Sequence, residues 1–140
     1  MGSGCPVRGC YKGYDHLTNR WNRKLGGKAE KLAEDFLRQK GYRILEKNYR
    51  VSCGEIDLIA SKNQLVFVEV KARISTRYGL PQEAVTVSKQ RQIIRVAQWY
   101  LQAQKWQDKE TRFDVIAVRF HKDMRPSIEH IPFAFGLDSF

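Results

Sequence analysis

Gly54-Glu55-Ile56-Asp57-Leu58-Ile59-Ala60 and then Leu65-Val66-Phe67-Val68-Glu69-Val70-Lys71 decide the fold of this chain. Both stretches are short, apolar and rich in β-branched residues, the composition of strands. Ser61-Lys62-Asn63-Gln64 between them reads as a tight turn, so the pair forms a β-hairpin. Strand side chains alternate between faces. Val66, Val68 and Val70 therefore share one face and can fill a core, while Leu65, Phe67, Glu69 and Lys71 share the other. Glu55 and Asp57 share a face on the partner strand, and a turn at 61–64 sets Asp57 roughly opposite Glu69.

Upstream, Ala29, Leu32, Ala33, Phe36 and Leu37 recur at helical spacing, and Gly41 stops that helix as its C′ residue. Glu30 lies at the border of the apolar face, where it can reach toward the sheet, whereas Glu34 and Asp35 are expected to point to solvent. A strand follows around Tyr42–Leu45 and extends toward Tyr49. Residues 73–87 contain Gly79 and Pro81 and read as a loop, with Ser88 as N-cap of a second helix. The apolar face of that helix is Ile93, Ile94, Ala97, Tyr100 and Leu101. Arg112 to Arg119 alternates as a strand, and a last short strand near Ile128–Ile131 is confined to an edge by Pro132. The order α-β-β-β-α-β, with one further strand, is that of an α/β protein: a mixed sheet flanked by two helices.

The chain has 140 residues, enough for one domain that needs no disulfide or structural metal to hold a core. Residues 1–25 lack a hydrophobic period and carry Pro6 and several basic side chains, so they are expected to form a basic flexible arm ahead of a domain spanning 26–140. Cys5, Cys10 and Cys53 are odd in number and read as unpaired thiols; Cys5, Cys10 and His16 lack a fourth zinc ligand. No secretory signal is seen, Pro6 breaks the myristoylation motif after Gly2, and no apolar run is long enough for a membrane span. A cytoplasmic protein with no membrane partner is the expectation. The formal net charge of +10 points to a polyanion, of which nucleic acid is the commonest.

Carboxylates placed like Asp57 and Glu69 repel and raise each other's pKa. A divalent cation relieves this, and Mg²⁺ is held by one or two carboxylates with waters and phosphate oxygens. Such a group can hydrolyse phosphodiesters, with Lys71 orienting water or neutralising developing charge. Lys89, in the first turn of the second helix, can bind a phosphate there. Each residue also has a plain reading: Glu30 an exposed helix acid, Lys89 a solvated lysine, and Glu69 one half of a surface ion pair. His16, His121 and His130 receive no role, and Asp114 is expected to pair with a nearby base.

These blocks carry a resemblance. Asp57…Glu69-Val70-Lys71 in an αβββαβ frame resembles the PD-(D/E)xK nuclease superfamily with its restriction-endonuclease-like core. Gly54–Ala60, Val66–Arg73, Tyr78-Gly79-Leu80-Pro81-Gln82-Glu83-Ala84-Val85, Lys89 and Arg112-Phe113-Asp114-Val115 together resemble the YraN-type family of bacterial proteins, itself similar to archaeal Holliday junction resolvases. The resemblance spans about residues 25–120, with Ala29-Glu30 where that family usually has Gly-Glu. It implies Glu30, Asp57, Glu69 and Lys71 as catalytic residues, with Glu30, Asp57 and Glu69 holding Mg²⁺ or Mn²⁺. Lys89, Arg73 and Arg77 are the expected nucleic-acid contacts. The implied activity is metal-dependent endonucleolytic cleavage of DNA, branched DNA included; the alternative is a non-catalytic nucleic-acid-binding protein with a nuclease-like fold. A resolvase makes two symmetric cuts and implies a homodimer, for which Trp99, Tyr100 and Trp106 offer apolar surface.

Overall fold

The computed structural model describes residues 16–74, 85–122 and 124–136, with side chains from residue 24 onward. The element order is α1 (His16–Gln39), β1 (Arg43–Val51), β2 (Gly54–Lys62), β3 (Gln64–Ile74), α2 (Val87–Gln104), β4 (Thr111–His121) and β5 (Met124–Phe135). The strands form one sheet in the order β1-β2-β3-β4-β5. Neighbours pair antiparallel except β3 and β4, which run parallel and are joined through α2. This is the expected α/β architecture: a five-stranded mixed sheet with two helices, consistent with a restriction-endonuclease-like core.

The sheet divides the interior into two apolar layers. On one face, Ile56, Ile59, Leu65, Phe67, Phe113 and Val115 pack against Ile93, Val96, Ala97 and Tyr100 of α2. On the other, Leu58, Ala60, Val66, Val68, Ile116 and Val118 pack against Ala29, Ala33 and Leu37 of α1. Ala at successive turns lets α1 lie close on the sheet, and Leu37 fills the space beyond. The central strands β3 and β4 are buried on both faces, as expected where a parallel pair is covered by helices. Phe67 is fully buried, contributing about 2–3 kcal/mol by area, and stacks on Phe113 at 5.4 Å between centroids.

The α1 terminus forms as anticipated. Gly41, at φ 93°, lets its own N–H reach the Arg38 carbonyl and the Tyr42 N–H reach that of Leu37. Several boundaries differ. α1 starts at His16, well ahead of Gly27, so residues 16–25 are helical; Leu17, Trp21 and Leu25 stand four residues apart in line with Ala29, a helical signal that the many polar residues between them obscure. Residues 1–15, with Cys5 and Cys10, lie outside the described residues. The N-cap of α2 is Thr86, not Ser88: its hydroxyl accepts the Lys89 N–H at 3.1 Å, leaving Ser88 inside the first turn. β5 is an edge strand that tolerates Pro132, but it is much longer than expected. Glu34 is buried rather than solvent-facing, and Arg38 (2.9 Å) and Lys47 (3.6 Å) hold its carboxyl below the usual range. Of the three aromatics offered for a dimer, Tyr100 is core and Trp106 packs edge-on against it, whereas Trp99 is exposed.

Among the described residues, one charged side chain lies wholly inside. Asp114 on β4 is inaccessible to solvent and accepts from Arg112 Nε (2.8 Å), Arg112 Nη2 (2.9 Å) and the Phe133 N–H (3.1 Å). His130 Nε2 stands 2.7 Å from its second oxygen. Arg112 in turn donates to the Tyr42 hydroxyl at 2.6 Å. Burial alone would push the Asp114 carboxyl up, but His130 and Arg112 outweigh it and the net shift is down. The expected pairing of Asp114 with a base is thus found, and His130 gains a structural role that its sequence position did not signal.

Candidate active site

The hairpin register is Leu58↔Val68, Ile59↔Phe67, Ala60↔Val66 and Ser61↔Leu65, closing at Asn63, which takes a left-handed φ of 65°. Continued by one step, that register sets Asp57 opposite Glu69. The ladder itself stops there. The Asp57 carboxylate, rather than a β2 carbonyl, receives the Val70 N–H at 2.8 Å. A side chain in place of a backbone partner fixes its own direction, so Asp57 is held without the freedom of a surface acid.

Why the ladder stops is visible in the packing of β2. Leu58 and Ala60 face α1, and Ile59 faces α2, as alternation requires. Ile56 also faces α2, although two residues from Leu58 it belongs on the opposite side. The partner strand breaks at the same level. Lys47 reaches Glu34 on the α1 side, whereas Tyr49, two residues on, packs into the α2 layer. Between these pairs stand Asn48 and Asp57. Asn48 has φ 51°, in the left-handed region. Both strands therefore turn over at one rung, and Asp57 emerges where the two faces meet.

That position puts three acids in mutual reach. Glu69 is buried at 5% exposure, and Lys71 Nζ lies 3.1 Å from its Oε2. Asp57 is pushed well above the usual carboxylate range, by burial first and then by the Glu69 charge; the Val70 N–H offsets part of this and the Glu30 charge adds to it. Glu30 is also raised, by burial first. The nearby Asn48 amide and the Asp57 carboxyl oppose that rise, and the Glu55 and Glu69 charges reinforce it. A cleft of about 170 Å³ opens beside Glu30, lined by Gly27, Lys31, Glu34, Lys47, Asn48 and Leu58.

The structure thus brings together Glu30, Asp57, Glu69 and Lys71. Lys89 is placed in the first turn of α2 and Arg73 near the end of β3, where its Nη1 donates to the Ala72 carbonyl. Arg77 lies outside the described residues. Asn48 was missed because nothing in Lys47-Asn48-Tyr49 marks a strand that turns over, beyond the known tolerance of Asn for φ > 0. Glu55 was read only as a face-mate of Asp57; it pairs with Arg50 at 2.7 Å on the rim of the group.

Among the described residues, no three acidic, His or Cys side chains close around one point as a complete ligand cage. Buried carboxylates that oppose one another still suit a hard divalent ion, since Mg²⁺ takes only one or two of them directly and fills its octahedron with water and phosphate oxygens. Asp57 and Glu69 fit that part, with Glu30 on the third side. No described helix is long and apolar enough to cross a membrane.

Residues 29–118 match the family described as "Uncharacterised protein family UPF0102". A UPF0102 protein of Syntrophotalea carbinolica is 48% identical over 115 residues, covering 81% of this chain and 93% of that protein. Another, from Geobacter metallireducens, is 50% identical over 117 residues, covering 83% and 95%. A third, from Clostridium perfringens, is 48% identical over 105 residues, covering 74% and 86%. The matched span takes in Glu30, the whole β2–β3 hairpin and the buried Asp114, and on this ground the chain belongs to the UPF0102 (YraN) family.

Proposed function

We propose that this protein is a divalent-metal-dependent endonuclease that hydrolyses phosphodiester bonds in nucleic acid, with DNA, and branched DNA in particular, as substrate. One observation carries the reading. Asp57 and Glu69 are held face to face at a break in the sheet, with Lys71 beside them, on a chain of net charge +10. A fold has little reason to bring buried like charges together unless something positive is to lie between them.

Bound Mg²⁺ or Mn²⁺ would supply a water of lowered pKa and a counter-charge for the phosphate. The chain's own groups do the rest. Asp57, pinned by the Val70 N–H, offers a fixed oxygen on one side, and Glu69 offers another from the facing strand. Glu30 approaches from α1 and can accept a proton from a water on that side. Lys71, half-buried, is near enough to Glu69 to orient a water or to neutralise a phosphate oxygen as charge builds. Lys89 and Arg73 supply positive charge from the neighbouring α2 turn and strand end for the nucleic acid backbone.

The test is cleavage of labelled linear, flapped and four-way-junction DNA with Mg²⁺ or Mn²⁺, using the unaltered protein beside Asp57→Asn and Glu69→Gln. Asp57→Asn keeps a side-chain oxygen for the Val70 N–H, so its fold is protected. Metal-dependent cutting that both variants lose upholds the proposal. Salt-sensitive DNA binding without cutting, unchanged in the variants, replaces it with the non-catalytic binding role.

A further inference from the structure

The rung formed by Asn48 and Asp57 carries one inference more. Asn48 lies inside a nine-residue strand and is exposed, so neither packing nor core burial calls for it. It nevertheless holds φ at 51°, a conformation that most side chains adopt only with strain and that Asn tolerates. Lys47 and Tyr49 on either side leave by opposite faces, and so do Leu58 and Ile56 across from them. The left-handed residue is therefore where the hairpin turns over. The turned backbone places the Asn48 side chain in the cleft it shares with Glu30, with its amide in reach of the Glu30 carboxylate. Among the described residues no lysine or arginine forms an ion pair with Glu30, and the charges that push its carboxyl up are those of Glu55 and Glu69. A carboxylate among acids would swing away to water unless a donor held it in place.

We infer that Asn48 is a positioning residue of the metal site: its backbone turns Asp57 into the gap between the two faces, and its amide holds Glu30 toward Asp57 and Glu69. This rests on the nuclease reading above. The two roles are separable, because Gly suits the left-handed backbone and lacks the amide.

The experiment is Mn²⁺ binding to the intact, DNA-free chain, followed by electron paramagnetic resonance of free Mn²⁺ and paired with thermal melting. Asn48→Gly is expected to melt within about 2 °C of the unaltered protein, because the turn survives, yet to bind Mn²⁺ roughly 5- to 10-fold more weakly. Glu30→Gln is expected to weaken binding similarly. The double variant should be no weaker than Glu30→Gln alone, because the amide acts through Glu30. Asn48→Ala loses both roles and should melt several degrees lower as well as binding Mn²⁺ more weakly. Binding by Asn48→Gly within twofold of the unaltered protein, or full additivity in the double variant, overturns the inference and leaves the nuclease reading standing. An unaltered protein that neither binds Mn²⁺ nor cuts DNA overturns both.

Discussion

Asp57 and Asp114 are buried acids on one sheet, and their surroundings are opposite. Asp114 is met by an arginine, a histidine and a backbone N–H, and its carboxyl lies below the usual range. Asp57 is met by one backbone N–H and two other acids, and its carboxyl lies well above it. The same residue type is satisfied in one place and left short of positive charge in the other. The first arrangement ties β4 to β5 and stabilises the fold. The second costs the fold stability and makes sense only where a ligand is to complete it.

The largest effect that would sharpen this contrast is on catalysis. Glu69→Gln should lower metal-dependent cleavage by roughly 10³-fold or more while the protein remains folded, measured as initial rates on labelled DNA. Equal rates would remove Glu69 from the reaction and put the two aspartates on the same structural footing.

Next in size is the loss of Asp114. Asp114→Ala leaves Arg112 and His130 buried without their partner and should destabilise the fold by about 3–5 kcal/mol in urea. The sign with pH follows from a depressed pKa. The Asp114 contribution is complete above the unfolded value near 3.8 and is lost as pH falls through the lower folded value. The gap between variant and unaltered protein should therefore hold at pH 7 and shrink below pH 4.

Asp57 runs the other way. With its folded pKa raised, the ionised carboxylate opposes folding; this penalty is absent below about 3.8 and complete above the raised value. Metal-free Asp57→Asn should thus be more stable than the unaltered protein at pH 7, read as a higher urea midpoint. The gain should vanish near pH 3.5 and also when Mn²⁺ binds the unaltered protein. Destabilisation at pH 7 would mean that Asp57, like Asp114, serves the fold.

The smallest effect belongs to the turn that leads into the site. A Cβ on Gly54, at φ 154°, would stand 2.8 Å from Gln92 Cγ and Cδ, while Gln92 Nε2 donates to the Cys53 carbonyl. Gly54→Ala should cost about 1 kcal/mol, read as a shift in urea midpoint, and shortening the neighbour with Gln92→Ala should recover part of it.

Much of this was legible before any coordinates. The hairpin, its register and the opposition of Asp57 and Glu69 follow from β-branched runs, a four-residue turn and period two. The faces of α1 and α2 follow from helical spacing, although Val96 joins the α2 face unannounced. Other features depend on contacts between distant segments. Glu34 is buried because Lys47 comes across from β1, His130 matters because β5 lies beside β4, and Asn48 matters because two strands turn over together. The start of α1 was hidden for another reason: Leu17, Trp21 and Leu25 are only three apolar residues among many polar ones, a sparse rhythm.

Strand order along the sheet repeats strand order along the chain. The three antiparallel pairings each span a short connection, and only β3 and β4 wait for a crossover through α2. Short loops close first, and distant pairings later. Glu30, Asn48, Asp57, Glu69 and Lys71 all belong to α1, β1, β2 and β3. The carboxylates are therefore expected to meet during folding before β3 pairs with β4, so that their repulsion slows the collapse itself. Stopped-flow refolding should then be faster with millimolar Mn²⁺ for the unaltered protein and insensitive to it for Asp57→Asn, which would make the ion a participant in the birth of the fold as well as in its use.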